Sequence, residues 1–292
     1  MAAELNHLRA WIGRTRTERE LVSPRLASQL AATLDHESFP EEGAALPPLW
    51  HWALFPSIAA QAQLGADGHP QRGGFLPPVT LPRRMWAGSK LQFERPLTIG
   101  SVVTRTSHIV DVAEKEGRSG KLVFIRIRHQ LEDDDGPLLS EEQDVVYKEA
   151  AASAYQHATS PLAPDRFTWS RTITPDPTLL FRYSADTFNG HRIHYDRTYA
   201  REREGYPALV VHGPLIATLL LDLLQRSLPD ATIASFSFKA VNPLFDDAAF
   251  HVRAEPVANS NDIKLWAVNT AGVLCVDANA TLSAPAASHK AK

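Results

Sequence analysis

The most constraining feature of this sequence is an apolar run, "GPLIATLLLDLLQRS", that begins at Gly213. Its large apolar residues recur at spacings of three and four, and the positions between them are mostly apolar as well. Pro214 suits the first turn of a helix, and Pro229 indicates where the helix ends. A helix that is apolar around most of its circumference belongs in a protein interior. The run contains Asp222 and is too short to span a bilayer, so we expect a buried helix and no membrane partner.

Strand patterns lie on both sides of this helix, and they repeat. Residues 91–112 and 236–257 follow one plan: an alternating strand with aromatic residues, a turn with proline and a β run. In "LVFIRIRHQL" the side chains of Val123, Ile125 and Ile127 share one face. We infer an α+β protein made of two copies of one unit, each an antiparallel sheet wrapped around a helix.

The chain also shows where the two copies meet. The small and polar segment 151–165 is typical of a linker, which leaves residues 1–150 and 166–292 as the two units. Ser23 can cap a helix that runs to Asp35, with Pro24 in its first turn. The segment after it is rich in proline and glycine but carries tryptophans, so we expect it to be irregular and ordered.

Composition excludes several function classes. A length of 292 residues with 44% hydrophobic residues is enough for two packed units. The formal net charge of −3 gives no reason to expect a nucleic-acid partner. Cys275 is the one cysteine, which excludes an internal disulfide and a zinc site built from cysteines. The charged N-terminus has no apolar core of the secretory type, so we expect a cytoplasmic protein.

A dense polar motif, "FNGHRIHYD", precedes the apolar helix and runs from Phe188 to Asp196. Together with the stretch "GYPALVVHGPLIATLLLDLL" it resembles the hydratase motif and following helix of the MaoC-like enoyl-CoA hydratases. The earlier stretches "RRMWAGSKLQFERPLTIG" and "EKEGRSGKLVF" resemble the degenerate N-terminal half of a narrower group. That group contains mesaconyl-C4-CoA hydratases and mitochondrial-type 3-hydroxyacyl-thioester dehydratases. The resemblance implies two hotdog folds in one chain, with the catalytic residues in the C-terminal copy.

The resemblance also implies roles for individual residues. Hydration of a C=C bond conjugated to a thioester needs an acid–base group for water and a donor for the enolate oxygen. The family histidine falls on His194, and the helix-start N–H that holds the thioester carbonyl falls on Gly213. The family aspartate is replaced by Asn189, which can orient water but cannot accept a proton from it. His191 is a second candidate, and Asp186 is the nearest replacement carboxylate outside the aligned position.

Other readings of the motif remain open. Asn189 and Gly190 could form a hairpin turn, and the histidines could be structural. Asp196 precedes a helical pattern, where a carboxylate commonly caps the helix. The spacing of His191, His194 and Asp196 would permit a metal ion, but no fourth ligand is evident. We therefore expect no metal and no cofactor.

Four further residues are candidates for binding the substrate. Arg83 and Arg84 could hold an anionic group of the substrate, although surface arginines more often form ion pairs. His212, directly before Gly213, is placed to shape the entry to the helix. Arg118, in the expected hairpin "EKEGRSG", could contact CoA phosphates.

The sequence thus leads to one preferred function and several rivals. The preferred function is reversible hydration of an α,β-unsaturated acyl-CoA, with mesaconyl-C4-CoA and its product citramalyl-CoA as first choice. A fatty-acid-type 3-hydroxyacyl-thioester dehydratase would instead need an open apolar tunnel. A thioesterase, or a non-catalytic protein that binds acyl-thioesters, is the remaining alternative, and Asn189 favours the latter. Two units in one chain can form a site internally, and a homodimer is compatible with this.

Overall fold

A computed structural model describes residues 2–117, 120–149 and 161–283. The strands are β1 (Thr15–Leu21), β2 (Arg83–Phe93), β3 (Val102–Gly117), β4 (Gly120–Asp133), β5 (Gly136–Lys148), β6 (Trp169–Ile173), β7 (Ile233–Ala240), β8 (Phe250–Pro256), β9 (Asp262–Asn269) and β10 (Leu274–Leu282). The helices are α1 (Ala2–Arg9), α2 (Pro24–Thr33), α3 (Pro177–Asp186) and α4 (Gly213–Ser227). Arg118 and most of the expected linker, residues 150–160, lie outside the described residues.

All ten strands form one antiparallel sheet in the order β1-β3-β4-β5-β2-β7-β10-β9-β8-β6. Read outward from the centre, the two halves have equivalent strand orders. One half is β2-β5-β4-β3-β1 and the other is β7-β10-β9-β8-β6. The repeat predicted from the sequence is therefore present in the fold. The two halves join where β2 pairs with β7, with Gly88 opposite Lys239. A Cβ at Gly88 would lie 2.3 Å from the carbonyl oxygen of Phe238, so only glycine permits this approach of the two strands.

The short helices α2 and α3 are also equivalent in the two halves. Each begins with a proline that follows a capping residue. Ser23 Oγ accepts a hydrogen bond from the N–H of Leu26, and Asp176 Oδ1 accepts one from the N–H of Leu179. The two helices pack against each other. The cap at Ser23 confirms the helix start predicted from the sequence.

The two halves differ in the segment that follows these helices. In the C-terminal half this segment contains α4, which buries every residue from Leu215 to Leu224 and packs against the sheet. In the N-terminal half the corresponding stretch between α2 and β2 forms only two short 3-10 turns, Trp50–Ala53 and Gln61–Gln63. The long buried helix predicted from the apolar run is thus confirmed, but the structure places such a helix in one half only. The irregular segment is ordered around Trp50, which is 3% exposed.

A single large apolar core surrounds α4 and includes side chains from both halves, and a smaller core lies beneath α1 and the 75–81 segment. Val123, Ile125 and Ile127 point into the smaller core, as their alternation predicted. Asp222 is buried within α4 and is paired with Arg171 at 2.6 Å and Arg226 at 2.8 Å. None of the described helices is both long and apolar enough to pass through a membrane.

Candidate active site

The motif loop starts where α3 ends. Phe188 adopts a left-handed backbone conformation, with φ of 49°, and the N–H of Asn189 returns to the carbonyl of Ser184 at 2.8 Å. The side-chain oxygen of Asn189 then accepts the backbone N–H of His191 at 3.0 Å. Asn189 therefore begins a tight turn at a helix end and is not in a hairpin between two strands. Because its oxygen is used, the NH2 end of the amide is the part that can hold a water molecule.

His194 is buried, and its tautomer is fixed by the backbone. Its Nδ1 lies 2.7 Å from the carbonyl oxygen of Val210, so Nδ1 carries the proton and Nε2 has the lone pair. Burial, and next the charge of His191, lower the pKa of His194 to about 3, although the bond to Val210 acts in the opposite direction. The imidazole is therefore neutral at physiological pH and presents a proton acceptor.

His212 packs against the imidazole of His194. The two rings are stacked with centroids 3.6 Å apart, and Nε2 of His212 lies 2.8 Å from the hydroxyl oxygen of Ser184. His212 is 1% exposed, and its Nδ1 has no hydrogen-bond partner among the described residues. The structure thus places this predicted substrate-binding residue against His194 and away from the cavity wall, where it orients the imidazole.

Two more histidines extend this row of imidazoles into the N-terminal half. The ring centroid of His191 lies 5.4 Å from that of His194 and 4.4 Å from that of His69. Burial, followed by the charge of Arg84, lowers the pKa of both His191 and His69, that of His191 to about 3. His69 was not predicted from the sequence, because no local pattern links its segment to the motif loop.

The backbone holds these two loops together. The N–H of Arg192 donates to the carbonyl of Asp67 at 2.9 Å, and its guanidinium reaches the carbonyl of Ala66 at 3.1 Å. Between these contacts Gly68, with φ of +87°, faces Gly190 so closely that a Cβ at Gly68 would lie 1.9 Å from the carbonyl oxygen of Gly190. The placement of His69 beside His191 therefore depends on two glycines.

The backbone N–H groups in the first turn of α4 are not capped by a side chain. No side chain caps this helix, although His212 occupies the capping position, and Gly213 and Pro214 are only half-buried. The first turn of a helix has unsatisfied N–H groups and a partial positive charge, which together favour an oxyanion. The N–H of Gly213 lies in this first turn, and its role as a donor to a thioester carbonyl stays a prediction.

A cavity of about 820 Å³ connects these features. Asn189, Ser184 and Pro214 line it from the C-terminal half, and Phe181 and Phe188 contribute exposed aromatic side chains. His191, His194 and His212 are buried behind the wall that the described residues form. Of the predicted catalytic side chains, Asn189 is thus the one that the cavity reaches directly.

A second cavity, of about 500 Å³, lies in the N-terminal half and adjoins the first. Trp52, His69 and Trp86 line both cavities, with the rings of Trp52 and Trp86 in edge contact at 4.8 Å. Many of its wall residues are charged or polar: Arg16, Glu18, His51, His69, Arg72, Arg84, Arg105, Ser107, His129, Glu141 and Gln143. We call it the polar chamber after these groups, although apolar side chains such as Phe55, Phe75 and Leu76 line it as well.

The two neighbouring arginines of β2 face different surroundings because side chains alternate along a strand. Arg83 forms a buried ion pair with Glu204, with Nε 2.8 Å from the carboxylate, and also bonds to the carbonyl of the same residue. Arg84 lines the polar chamber, and no described residue forms an ion pair or hydrogen bond with its side chain. Of the two arginines proposed from the sequence, only Arg84 is therefore available to a substrate anion.

A buried carboxylate in the chamber wall was also missed. Glu141 is 4% exposed and accepts hydrogen bonds from Ser89 Oγ at 2.6 Å and Trp52 Nε1 at 3.0 Å, with His51 Nε2 at 3.4 Å. Burial alone would raise the pKa of Glu141, but the contacts with His51 and the other donors outweigh it and lower the pKa. This network fixes the position of Trp52 at the junction of the two cavities.

The remaining carboxylates of the motif have structural partners. Asp196 accepts the N–H of Tyr199 at 2.9 Å and pairs with Arg192 at 2.7 Å, which confirms its role as a cap. Asp186 accepts a hydrogen bond from Thr33 at 2.7 Å, between α3 and α2. Neither carboxylate lines the cavities.

The structure brings together three side chains that could bind a metal ion, and they are not the set predicted from the sequence. Ligand atoms of Asp67, His69 and His191 all lie within 4.8 Å of one another. Tetrahedral zinc with bonds of about 2.05 Å holds its ligand atoms about 3.3 Å apart. The positive charge of Arg84, which acts on both histidines, also opposes a second cation here.

Comparisons with known proteins agree with this fold. The family model for hydroxyacyl-thioester dehydratase type 2 matches residues 49–246. Mesaconyl-C(4)-CoA hydratase of Chloroflexus aurantiacus is 46% identical over 274 residues, which cover 94% of this chain and 97% of that protein. A MaoC-like dehydratase from Phytophthora capsici has a similar structure, with a TM-score of 0.72 at 16% identity, covering 98% of this chain and 99% of its own. A Mycobacterium tuberculosis protein described as a double hotdog fold aligns with a TM-score of 0.56 at 13% identity, over 93% of this chain and 96% of its own. The fold is therefore a double hotdog.

Proposed function

Because this chain belongs to the hydroxyacyl-thioester dehydratase type 2 family, we propose that it is a hydro-lyase that adds water reversibly to an α,β-unsaturated acyl-CoA. The preferred substrate is mesaconyl-C4-CoA, and the product is citramalyl-CoA. In this proposal the C-terminal half, residues 166–292, supplies the acid–base groups. The N-terminal half, residues 1–150, supplies the chamber for the acyl group. The site is complete within one chain, and light scattering during size-exclusion chromatography would determine whether a homodimer forms.

The motif loop and α4 support the chemical step. Asn189 holds the water through its NH2 group. His194 is buried behind the cavity wall, so the proposal requires this water to reach its Nε2, which accepts a proton as the water oxygen bonds to the β-carbon. The electrons of the C=C bond move onto the thioester oxygen, which the N–H of Gly213 stabilises as an enolate. The enolate then takes a proton at the α-carbon from the His194 imidazolium, which restores the neutral base.

One observation carries the choice of substrate, namely the unpaired Arg84 in the wall of a polar chamber beside the motif loop. In mesaconyl-C4-CoA the free carboxylate is attached to the carbon that receives the water. A cation that holds it must therefore lie close to the acid–base group, and Arg84 is close enough to lower the pKa of His191. A guanidinium can hold a carboxylate through two parallel hydrogen bonds.

The family model favours a second candidate, a 3-hydroxyacyl-thioester dehydratase that acts on fatty acyl chains. The guanidinium of Arg84 in the N-terminal chamber argues against it, because a hydrocarbon chain there would cover a charge that has no partner among the described residues. A non-catalytic protein that binds acyl-thioesters would occupy the same cavities but give no turnover.

These alternatives can be separated by following the absorbance of the conjugated thioester with three substrates. We expect the highest kcat/KM with mesaconyl-C4-CoA, a lower value with crotonyl-CoA and the lowest with trans-2-decenoyl-CoA. A preference for the decenoyl thioester would support the fatty-acid dehydratase, and no turnover with any of the three would refute the hydratase proposal.

The role of Arg84 has a matched control in its neighbour. A charge-assisted hydrogen bond contributes about 1.5–3 kcal/mol, so Arg84→Gln should lower kcat/KM for mesaconyl-C4-CoA roughly ten-fold or more and leave crotonyl-CoA nearly unchanged. Arg83→Gln breaks the ion pair with Glu204 and should affect both substrates alike. Equal losses for the two substrates in Arg84→Gln would mean that Arg84 does not bind the carboxylate.

A further inference from the structure

Tyr147 has a buried hydroxyl group without a hydrogen-bond partner among the described residues. The side chain is 0% exposed, and its hydroxyl oxygen has no hydrogen-bond partner among the described residues. A buried hydroxyl without a partner destabilises a fold, whereas phenylalanine would fill the same space without that cost. A bound ligand could supply the hydrogen-bond partner that the described part of the chain does not provide for this hydroxyl.

The side chain of Tyr147 contributes to the wall of the chamber that contains Arg84, and its hydroxyl is covered in the ligand-free fold. Tyr147 on β5 pairs directly with Arg84 on β2, so the two side chains emerge on the same face of the sheet. Both residues line the 500 Å³ chamber. An unpaired cation and an unpaired hydroxyl donor are thus neighbours in one cavity, which is the combination that a carboxylate needs.

The other cations of the chamber are already engaged. The guanidinium of Arg72 lies over the ring of Tyr147 and donates to the carbonyls of Val79, Leu81 and Pro82. It fixes the ring and has few donors left. Arg105 and Arg16 share the carboxylate of Glu18, at 2.7 and 2.6 Å, although Nε of Arg105 has no hydrogen-bond partner among the described residues. Of the arginines that line the chamber, Arg84 is thus the one with no ion pair or hydrogen bond to a described residue.

We propose that Tyr147 is a specificity-determining residue whose hydroxyl donates a hydrogen bond to the free carboxylate of the substrate, beside Arg84. The proposal rests on the proposed function and adds a second donor to the carboxylate subsite. The subsite lies entirely in the N-terminal half, so the half without the catalytic motif selects the acyl group. Monocarboxylic acyl-CoAs would enter the same chamber and leave the hydroxyl without a partner.

Tyr147→Phe tests this, because it removes one oxygen and keeps the ring. We expect KM for mesaconyl-C4-CoA to rise about ten-fold to a hundred-fold, with KM for crotonyl-CoA changed less than two-fold. The thermal midpoint of the ligand-free variant should equal or exceed that of the wild type, since the variant loses an unpaired buried hydroxyl. A double-mutant cycle with Arg84→Gln should be non-additive, because both groups hold the same carboxylate.

Three outcomes would overturn the inference. An unchanged KM for mesaconyl-C4-CoA would mean that the hydroxyl does not touch the substrate. Equal losses with both substrates would mean that Tyr147 shapes the chamber and does not recognise the carboxylate. A lower thermal midpoint would mean that the hydroxyl has a partner within the fold. Failure of the proposed function is seen separately, because the wild-type protein would then hydrate neither substrate.

Discussion

Replacing Gly68 by alanine should separate the two loops that bring His69 and His191 together. The new Cβ would lie 1.9 Å from the carbonyl oxygen of Gly190, whereas such contacts need at least 3.0 Å. The loops must therefore move apart by about 1 Å, and a misplacement of that size near reacting groups costs about 10² in rate. Alanine at φ of +87° adds backbone strain of about 1–2 kcal/mol. We expect kcat/KM to fall roughly a hundred-fold and the thermal midpoint to fall by a few degrees.

Gly74 provides the matched control for this change. It lies in the same irregular segment, and a Cβ there would have no heavy atom within 4 Å. Gly74→Ala should leave the hydration rate and the thermal midpoint close to wild type. Both variants can be compared by the thioester absorbance assay and by thermal denaturation followed by circular dichroism. A folded Gly68→Ala variant that retains kcat/KM within two-fold would refute the idea that this contact positions the site.

Two further predictions concern the histidines. His194→Ala should lower kcat by about 10²–10⁴ with the circular dichroism spectrum retained, and Asn189→Ala should lower it less, because a misplaced water can still react; near-normal turnover in His194→Ala would assign the chemistry elsewhere. His191 and His194 are neutral and buried in the fold, with pKa values lowered to about 3, while in the unfolded chain they titrate near 6.5. The unfolded state thus binds more protons between these values, so the free energy of unfolding should fall with pH from about 6.5 downward, by up to about 1.4 kcal/mol per unit for each histidine. Urea denaturation at several pH values measures this, and a midpoint that does not change between pH 7 and 5 would contradict it.

Local patterns were sufficient to predict much of the fold. The apolar run predicted α4 because its stripe and its two prolines are local signals of a buried helix. The strand repeat predicted the two equivalent halves of the sheet. Neither signal could show that the N-terminal half lacks a long buried helix, since proline and glycine in that segment indicate irregular structure without showing what it packs against.

The site was predicted less completely, for reasons that lie in tertiary structure. Arg83 and Arg84 are adjacent, and only the pairing of β2 decides which one faces the chamber. His69 reaches the motif loop through a contact between two backbones, which no local spacing encodes. That the Tyr147 hydroxyl has no hydrogen-bond partner among the described residues cannot be predicted without the tertiary structure around it.

The pairing of β2 with β7 also limits how the molecule can move. Backbone hydrogen bonds run unbroken from one half of the sheet to the other, and α4 packs in a core that both halves share. Opening the halves like a hinge would expose that core and break the ladder between the two strands, which makes such a motion costly. Smaller movements of the 55–78 segment, which borders both cavities, would leave the sheet intact as a rigid frame. If such movements limit the exchange of substrate and product, turnover is governed by the kinetics of this loop.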